Sequence, residues 1–133
     1  MKGPLDLARG LLRKAQNGLI AAQATIATGK ALDTVCFHAQ QAAEKSIKAL
    51  LALYDVEYPR RHDLGELVAL VKKWAPEIGA MEEEIIRLAP YAVAARYDES
   101  FAPDLEEAQR ALETAERVHL LAEQGVQRSQ TGR

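Results

Sequence analysis

The run CFHAQQAAEKSIKALLALY, Cys36 to Tyr54, decides the fold of this chain. Its residues Cys36, Ala39, Ala43, Ile47, Leu50 and Tyr54 recur three or four positions apart, which lines them up on one face of an α-helix. A second face carries Phe37, Gln41, Glu44, Lys48 and Leu51, again at helical spacing. A helix with two unlike faces, both wanting cover, belongs at the centre of a bundle or against a partner subunit. Glu44 stands four residues before Lys48, the orientation in which such a pair supports a helix by a few tenths of a kcal/mol. The helix is predicted over residues 33–54.

Outward from that run the pattern stays helical. Before it, Leu5, Ala8, Leu12, Ala15, Leu19, Ala22 and Ile26 form one stripe, predicting a helix that starts after Pro4 and stops near Gly29. Gly10 and Gly18 weaken that helix locally but let a neighbour approach. After it, VEYPRRHD reads as a loop, because Pro59 denies Tyr58 the helical region. Asp63 followed by Glu66 has the spacing of a helix cap, predicting a helix from Leu64 to Trp74. Pro76 ends it and opens another holding Ile78, Met81, Ile85 and Leu88, which Pro90 breaks. Tyr91 to Tyr97 reads as a short helix. The last helix begins near Pro103 or Asp104 and turns Leu105, Ala108, Leu112, Ala115, Val118 and Ala122 inward. No segment alternates as a strand does. The expected fold is all-α: an up-and-down bundle of four main helices plus one short helix, one domain over residues 1–124, with 125–133 a disordered polar tail.

Composition narrows the functions. The 133 residues suffice for one core, and 48% hydrophobic residues with only 5% aromatic suit helices rich in Ala, Leu and Glu. Seventeen basic against 19 acidic residues give a net charge of -2, without the positive excess of a non-specific nucleic-acid binder. The single cysteine, Cys36, excludes an internal disulfide and argues against a cysteine-built zinc site. It reads as a small core residue. No apolar run approaches the roughly 20 residues of a membrane span, and the N-terminus has no hydrophobic signal core, so a cytoplasmic protein is expected.

Candidate chemistry is sparse. His38, His62 and His119 show no ligand spacing with one another or with carboxylates, and no metal or cofactor is expected. No glycine-rich phosphate loop or nucleophile elbow occurs. His62 closes a basic triplet with Arg60 and Arg61 that suits a phosphate or an acidic partner. The run AARYDE places Arg96 where it can either tie to Glu44 as a charge pair or, with Lys45 or Lys48 and Tyr91 or Tyr97, line a cleft for phosphate.

The polar helix from Cys36, the HDL helix start at His62 and the AARYDE segment together resemble the HEPN family, small helical domains of prokaryotes often encoded beside a minimal nucleotidyltransferase. Many such domains are metal-independent ribonucleases, of the toxin-antitoxin kind, whose site is an Arg, four to six residues and a His. The His would shuttle a proton at the RNA 2'-hydroxyl while the Arg stabilises the phosphorane. The three positions that would carry that Arg are Ala31, Leu32 and Asp33 before His38, and Asp55, Val56 and Glu57 before His62. Before His119 they are Leu112, Glu113 and Thr114. None is Arg. In short relatives the later segment reads Ala-Arg-Tyr-Pro; here Asp98 replaces the Pro.

The resemblance implies a homodimeric binding module rather than a stand-alone enzyme, with a minimal nucleotidyltransferase as partner and a nucleotide or RNA as ligand. The expected site is Gln41, Glu44, Lys45 and Lys48, the loop Arg60, Arg61 and His62, and the segment of Tyr91, Arg96 and Tyr97. One alternative is a toxin-type ribonuclease with a displaced site of Arg96, His62 and Tyr97. In some relatives such a tyrosine accepts a nucleotidyl group, though those carry the nuclease motif. The other alternative is a dimeric structural adaptor.

Overall fold

A computed structural model describes residues 3–58 and 63–131 of the chain. Among them there are seven helices and no strand: α1 Pro4–Ile26, α2 Leu32–Leu53, α3 Leu64–Val71, α4 Pro76–Gly79, α5 Glu82–Ile86, α6 Tyr91–Tyr97 and α7 Leu105–Thr131. The all-α bundle expected from the sequence is present. It has three long legs, α1, α2 and α7, and a third-in-order leg broken into α3, α4, α5 and α6.

The direction of each leg follows from its contacts. α1 and α2 run antiparallel, joined by a turn in which Gly29 takes the left-handed conformation (φ 72°) that a glycine adopts without cost. A Cβ at Gly18 would lie 3.9 Å from the His38 carbonyl oxygen, so the two backbones run close there. α2 ends in a Schellman turn: Val56 N–H reaches the Leu51 carbonyl at 2.8 Å and Asp55 N–H the Ala52 carbonyl at 3.1 Å. Asp55 takes the left-handed position (φ 56°) usually filled by glycine. The short helices carry the chain back, so α7 descends alongside α2. A Cβ at Gly125 would stand 2.9 Å from Leu50 Cδ2, which fixes the far end of that contact.

α2 is the axis of the fold. No residue from Leu32 to Tyr54 is fully exposed, and Val35, Cys36, Ala39, Ala43, Ile47, Leu50 and Leu51 are buried. α1 supplies Ala8, Leu12, Ala15, Leu19 and Ala22 against it, and α7 supplies Ala108, Leu112, Ala115, Val118 and Ala122. The many alanines let the backbones approach, while Leu64, Leu67, Val68, Ile78, Ile85 and Leu88 close the core from the broken leg. At the lower end Tyr54 stacks on Trp74, ring centroids 5.7 Å apart.

Three sequence expectations change. The helix predicted to run from Leu64 to Trp74 stops at Val71, and the one opened by Pro76 divides at Ala80–Met81 into α4 and α5. Gly79 is the cause that can be named: a Cβ there would meet Lys72 Cβ at 2.9 Å, so α4 folds tightly back on the end of α3. The predicted tail is helix as far as Thr131. α7 continues through Gly125 to Thr131, because Gly125 faces Leu50, Val126 is buried, and Arg128 donates to Glu77 of α4 at 3.1 Å. The Asp63 cap holds as predicted, accepting from Glu66 N–H at 2.8 Å, and Asp104 accepts from Glu107 N–H at 2.8 Å in the same way.

Candidate functional site

The half-open face of α2 lies between α1 and α6. Three sides of α2 are already taken by apolar neighbours, leaving Phe37 and the polar His38, Gln41, Glu44, Lys45 and Lys48 half-buried on the fourth. Gln41, Glu44, Lys45 and Lys48 form a hydrogen-bonded run with Gln40 along the helix. Lys45 Nζ donates to Gln41 Oε1 at 3.1 Å, and Gln41 Nε2 donates to Gln40 Oε1 at 2.6 Å. Gln40 Nε2 then donates to Glu44 Oε1 at 3.1 Å, and Lys48 Nζ to Glu44 Oε2 at 2.8 Å. Lys48 also sits 5.6 Å from the centre of the Tyr58 ring. Gln40, 3% exposed, is the hub of this run. The sequence counts Gln40 among the polar residues of this helix but leaves it out of the expected site, since a glutamine one position off a polar stripe carries no signal of burial.

Half-burial has an electrostatic consequence. Burial lowers the Lys45 pKa; the Glu44 carboxylate opposes that, while Lys48 and Lys14 of α1 add to it. Burial also lowers the His38 pKa below 6.5, with the Lys45 charge adding to the effect. His38 and Lys14 therefore belong to this face, and the sequence reading had not assigned them to it. Spacing within α2 points to His38, three residues before Gln41. Lys14 is brought in only by the packing of α1.

On the α6 side, the Arg96 guanidinium lies 5.2 Å from the Phe37 ring centre and 5.0 Å from that of Tyr97. Its Nε donates to the Ala92 carbonyl at 2.7 Å, one turn back on its own helix. The expected tie from Arg96 to Glu44 is not formed, because Arg96 is exposed and folds over aromatic rings while Glu44 is held by Lys48 and Gln40. Tyr97 is 72% exposed. Tyr91 is turned the other way, its hydroxyl donating to Glu107 of α7 at 2.7 Å and its ring tilted on Phe101. It does not share the face with Lys45 and Arg96. Arg60, Arg61 and His62 lie outside the described residues.

The structure thus brings Gln41, Glu44, Lys45 and Lys48 together with Arg96 and Tyr97 at one edge. The polar atoms of the α2 residues satisfy one another, and among the described residues no buried side-chain nitrogen or oxygen lacks a partner. α2 thus answers its own polar residues through hydrogen bonds within one helix, most of them at i,i+4. Among the described residues the cations of this face outnumber its carboxylates. Lys14, Lys45, Lys48 and Arg96 stand against Glu44 on this face of an acidic protein.

A larger cleft lies elsewhere. It holds about 800 Å³ between the α5–α6 region and α7, walled by Arg87, Tyr91, Glu107 and Arg110. Its outer walls are solvated charges of both signs, and nothing in it shares the α2 face. His119 is a core residue: it is 6% exposed, its Nε2 lies 3.3 Å from the Leu12 carbonyl oxygen and its Nδ1 3.6 Å from Glu123. Among the described residues no group of three or more His, Cys, Asp or Glu is placed to hold a metal ion.

The family model for the HEPN domain matches residues 8–125, from the first turns of α1 to Gly125 of α7. The chain belongs to the HEPN domain family. The HEPN fold here is similar to the crystal structure of TT1696 from Thermus thermophilus, at 26% identity and a TM-score of 0.75. The match covers 89% of this chain and 97% of that one. No curated protein matches the chain. Among the described residues no helix is long and apolar enough to cross a membrane.

Proposed function

We propose that this HEPN domain is a homodimeric binding module that takes a nucleotide or RNA on the α2 face and works with a minimal nucleotidyltransferase. The observation that carries the reading is the half-buried, positively biased face of α2, edged by a guanidinium that has no carboxylate partner among the described residues. Arg96 keeps its fork for an outside phosphate or carboxylate, because aromatic rings and a backbone carbonyl hold it without neutralising it. The arginine-to-histidine spacing of the family's ribonucleases is not found at His38, His62 or His119, which favours binding over cleavage.

HEPN domains often act as dimers. In this chain Val93 and Tyr97, one turn apart on α6, are 61% and 72% exposed, an apolar strip beside the α2 face that a second copy would cover. Light scattering should return about twice the chain mass of 14.6 kDa.

Calorimetric titration with nucleoside triphosphates and with short RNA tests the ligand. Binding by wild type that is weakened in Arg96→Ala is the expected result; no binding of either class defeats the reading. For the partner, a minimal nucleotidyltransferase encoded beside this gene should co-purify at a fixed ratio when the two are expressed together. The ribonuclease reading predicts instead metal-independent cleavage of total RNA, lost in both Arg96→Ala and His62→Ala.

A further inference from the structure

The contact between α1 and α2 brings two lysines and a histidine from separate parts of the chain to one side of the α2 face. Lys14 is exposed on α1, one turn before Gly18, whose neighbour across the helix pair is the His38 backbone. Because the helices are antiparallel, Lys14 faces the turn of α2 that carries Gln41 and Lys45. The effect of the Lys14 charge on Lys45, and of Lys45 on His38, records the same proximity. Lys14 makes no hydrogen bond or ion pair among the described residues. Lys45 has one neutral acceptor, Gln41 Oε1. Glu44, the carboxylate of this stretch, points its oxygens at Gln40 and Lys48.

Lys45 is half-buried beside other cations, where burial and like charge act in the same direction and Glu44 opposes them only in part. A bound anion reverses both effects. It supplies a counter-charge and acceptors to ammonium groups that otherwise repel, and its oxygens can accept from several donors at once. A carboxylate offers two oxygens, whereas a phosphoryl group offers three and a higher charge, which better matches donors converging from two helices.

We propose that Lys14, His38 and Lys45 form a phosphoryl-binding subsite on the α1 side of the α2 face. The subsite rests on the reading of that face as a nucleotide or RNA site and divides it. Phosphate is held between α1 and α2, and the remainder of the ligand extends over Gln41 toward Phe37, Arg96 and Tyr97. The phosphoryl group belongs to a nucleoside polyphosphate or to an RNA backbone; the chemistry of recognition is common to both.

The test uses the full chain at low ionic strength with four probes: tripolyphosphate, ATP, a short single-stranded RNA, and adenosine, which has no phosphate. Lys14→Met is exposed and leaves the fold intact; Lys45→Met is checked by its helical circular dichroism. Each change should weaken the phosphate-bearing probes at least tenfold and leave adenosine unaffected. If RNA is the ligand, each should also flatten the dependence of log K on log salt by about 0.7, the release expected for one phosphate contact on a single strand. Tripolyphosphate binding as ATP does assigns the subsite to polyphosphates; RNA binding alone with a steep salt slope assigns it to a strand. Wild-type affinity for every phosphate-bearing probe in both lysine variants overturns the subsite. If Arg96→Ala still abolishes that binding, the broader site survives without it. If wild type binds none of the probes, both readings fall.

Discussion

The Tyr91 hydroxyl donates to the Glu107 carboxylate at 2.7 Å, tying the short helix α6 to the first turn of α7 beside the Cys36 thiol. This tie fixes which side of α6 faces the core. With Tyr91 inward, Arg96 comes out over Phe37 and Tyr97 stands in solvent. Tyr91→Phe should cost about 1–2 kcal/mol, since the half-buried Glu107 loses its donor. Urea titration measures the loss, and an unchanged midpoint would mean that water replaces the hydroxyl.

Alkaline stability should fall for the same reason. Burial, with Glu107 and Asp33 adding, pushes the Cys36 thiol from 9.0 up to about 12, while the neighbouring Tyr91 hydroxyl works the other way. Burial and its bond to Glu107 push Tyr91 up as well. Below pH 9.0 the thiol is protonated in both folded and unfolded chains and contributes no slope. Above that, the unfolded thiol ionises first, the folded chain holds the extra proton, and stability drops by up to about 1.4 kcal/mol per pH unit. The loss ends only as pH passes the folded value. Cys36→Ala should reduce the slope, read from urea midpoints at successive pH values.

The end of α7 should be required for stability. Removing residues 125–133 exposes the core beneath Val126 and takes away the Arg128–Glu77 contact. The apolar loss dominates, at about 1–2 kcal/mol, because that ion pair is largely exposed. Gly125→Ala offers a finer probe, since its Cβ would press on Leu50 Cδ2 and should lower the thermal midpoint. A truncated chain with the midpoint of the full one would restore the picture of an idle tail.

Ala31 begins α2 in the left-handed conformation (φ 53°), a strained place for a residue with a Cβ. Ala31→Gly should relieve that strain by more than the added chain entropy costs, a net gain of about 0.5–1 kcal/mol. Thermal unfolding of the two proteins decides the sign.

Arg96→Lys separates binding from stability. Arg96 is exposed and its ring contacts contribute about 0.5–1 kcal/mol at such sites, so the midpoint should hardly move. Ligand affinity should fall, because an ammonium lacks the planar fork. A lowered midpoint with unchanged binding would favour the structural-adaptor alternative.

Sequence alone determined that α1, α2 and α7 are helices, where α3 is capped, and that α2 sits at the centre. These follow from periodicity and from short-range capping, in which every interacting pair lies within four residues. The stripe of Gln41, Glu44, Lys45 and Lys48 was legible for the same reason. Tertiary structure alone decided which way α6 rotates, because Tyr91 and Arg96 sit on different sides of it and only Glu107 selects the inward one. It also decided that the region after Gly125 is helix, since the residue requiring that glycine, Leu50, is 75 positions earlier. Lys14 comes to the α2 face on the same terms: nothing in α1 marks it, and only the packing of α1 against α2 brings it there. Contacts between distant segments depend on how helices pack, and a single helix's pattern records which face is buried, not what it is buried against.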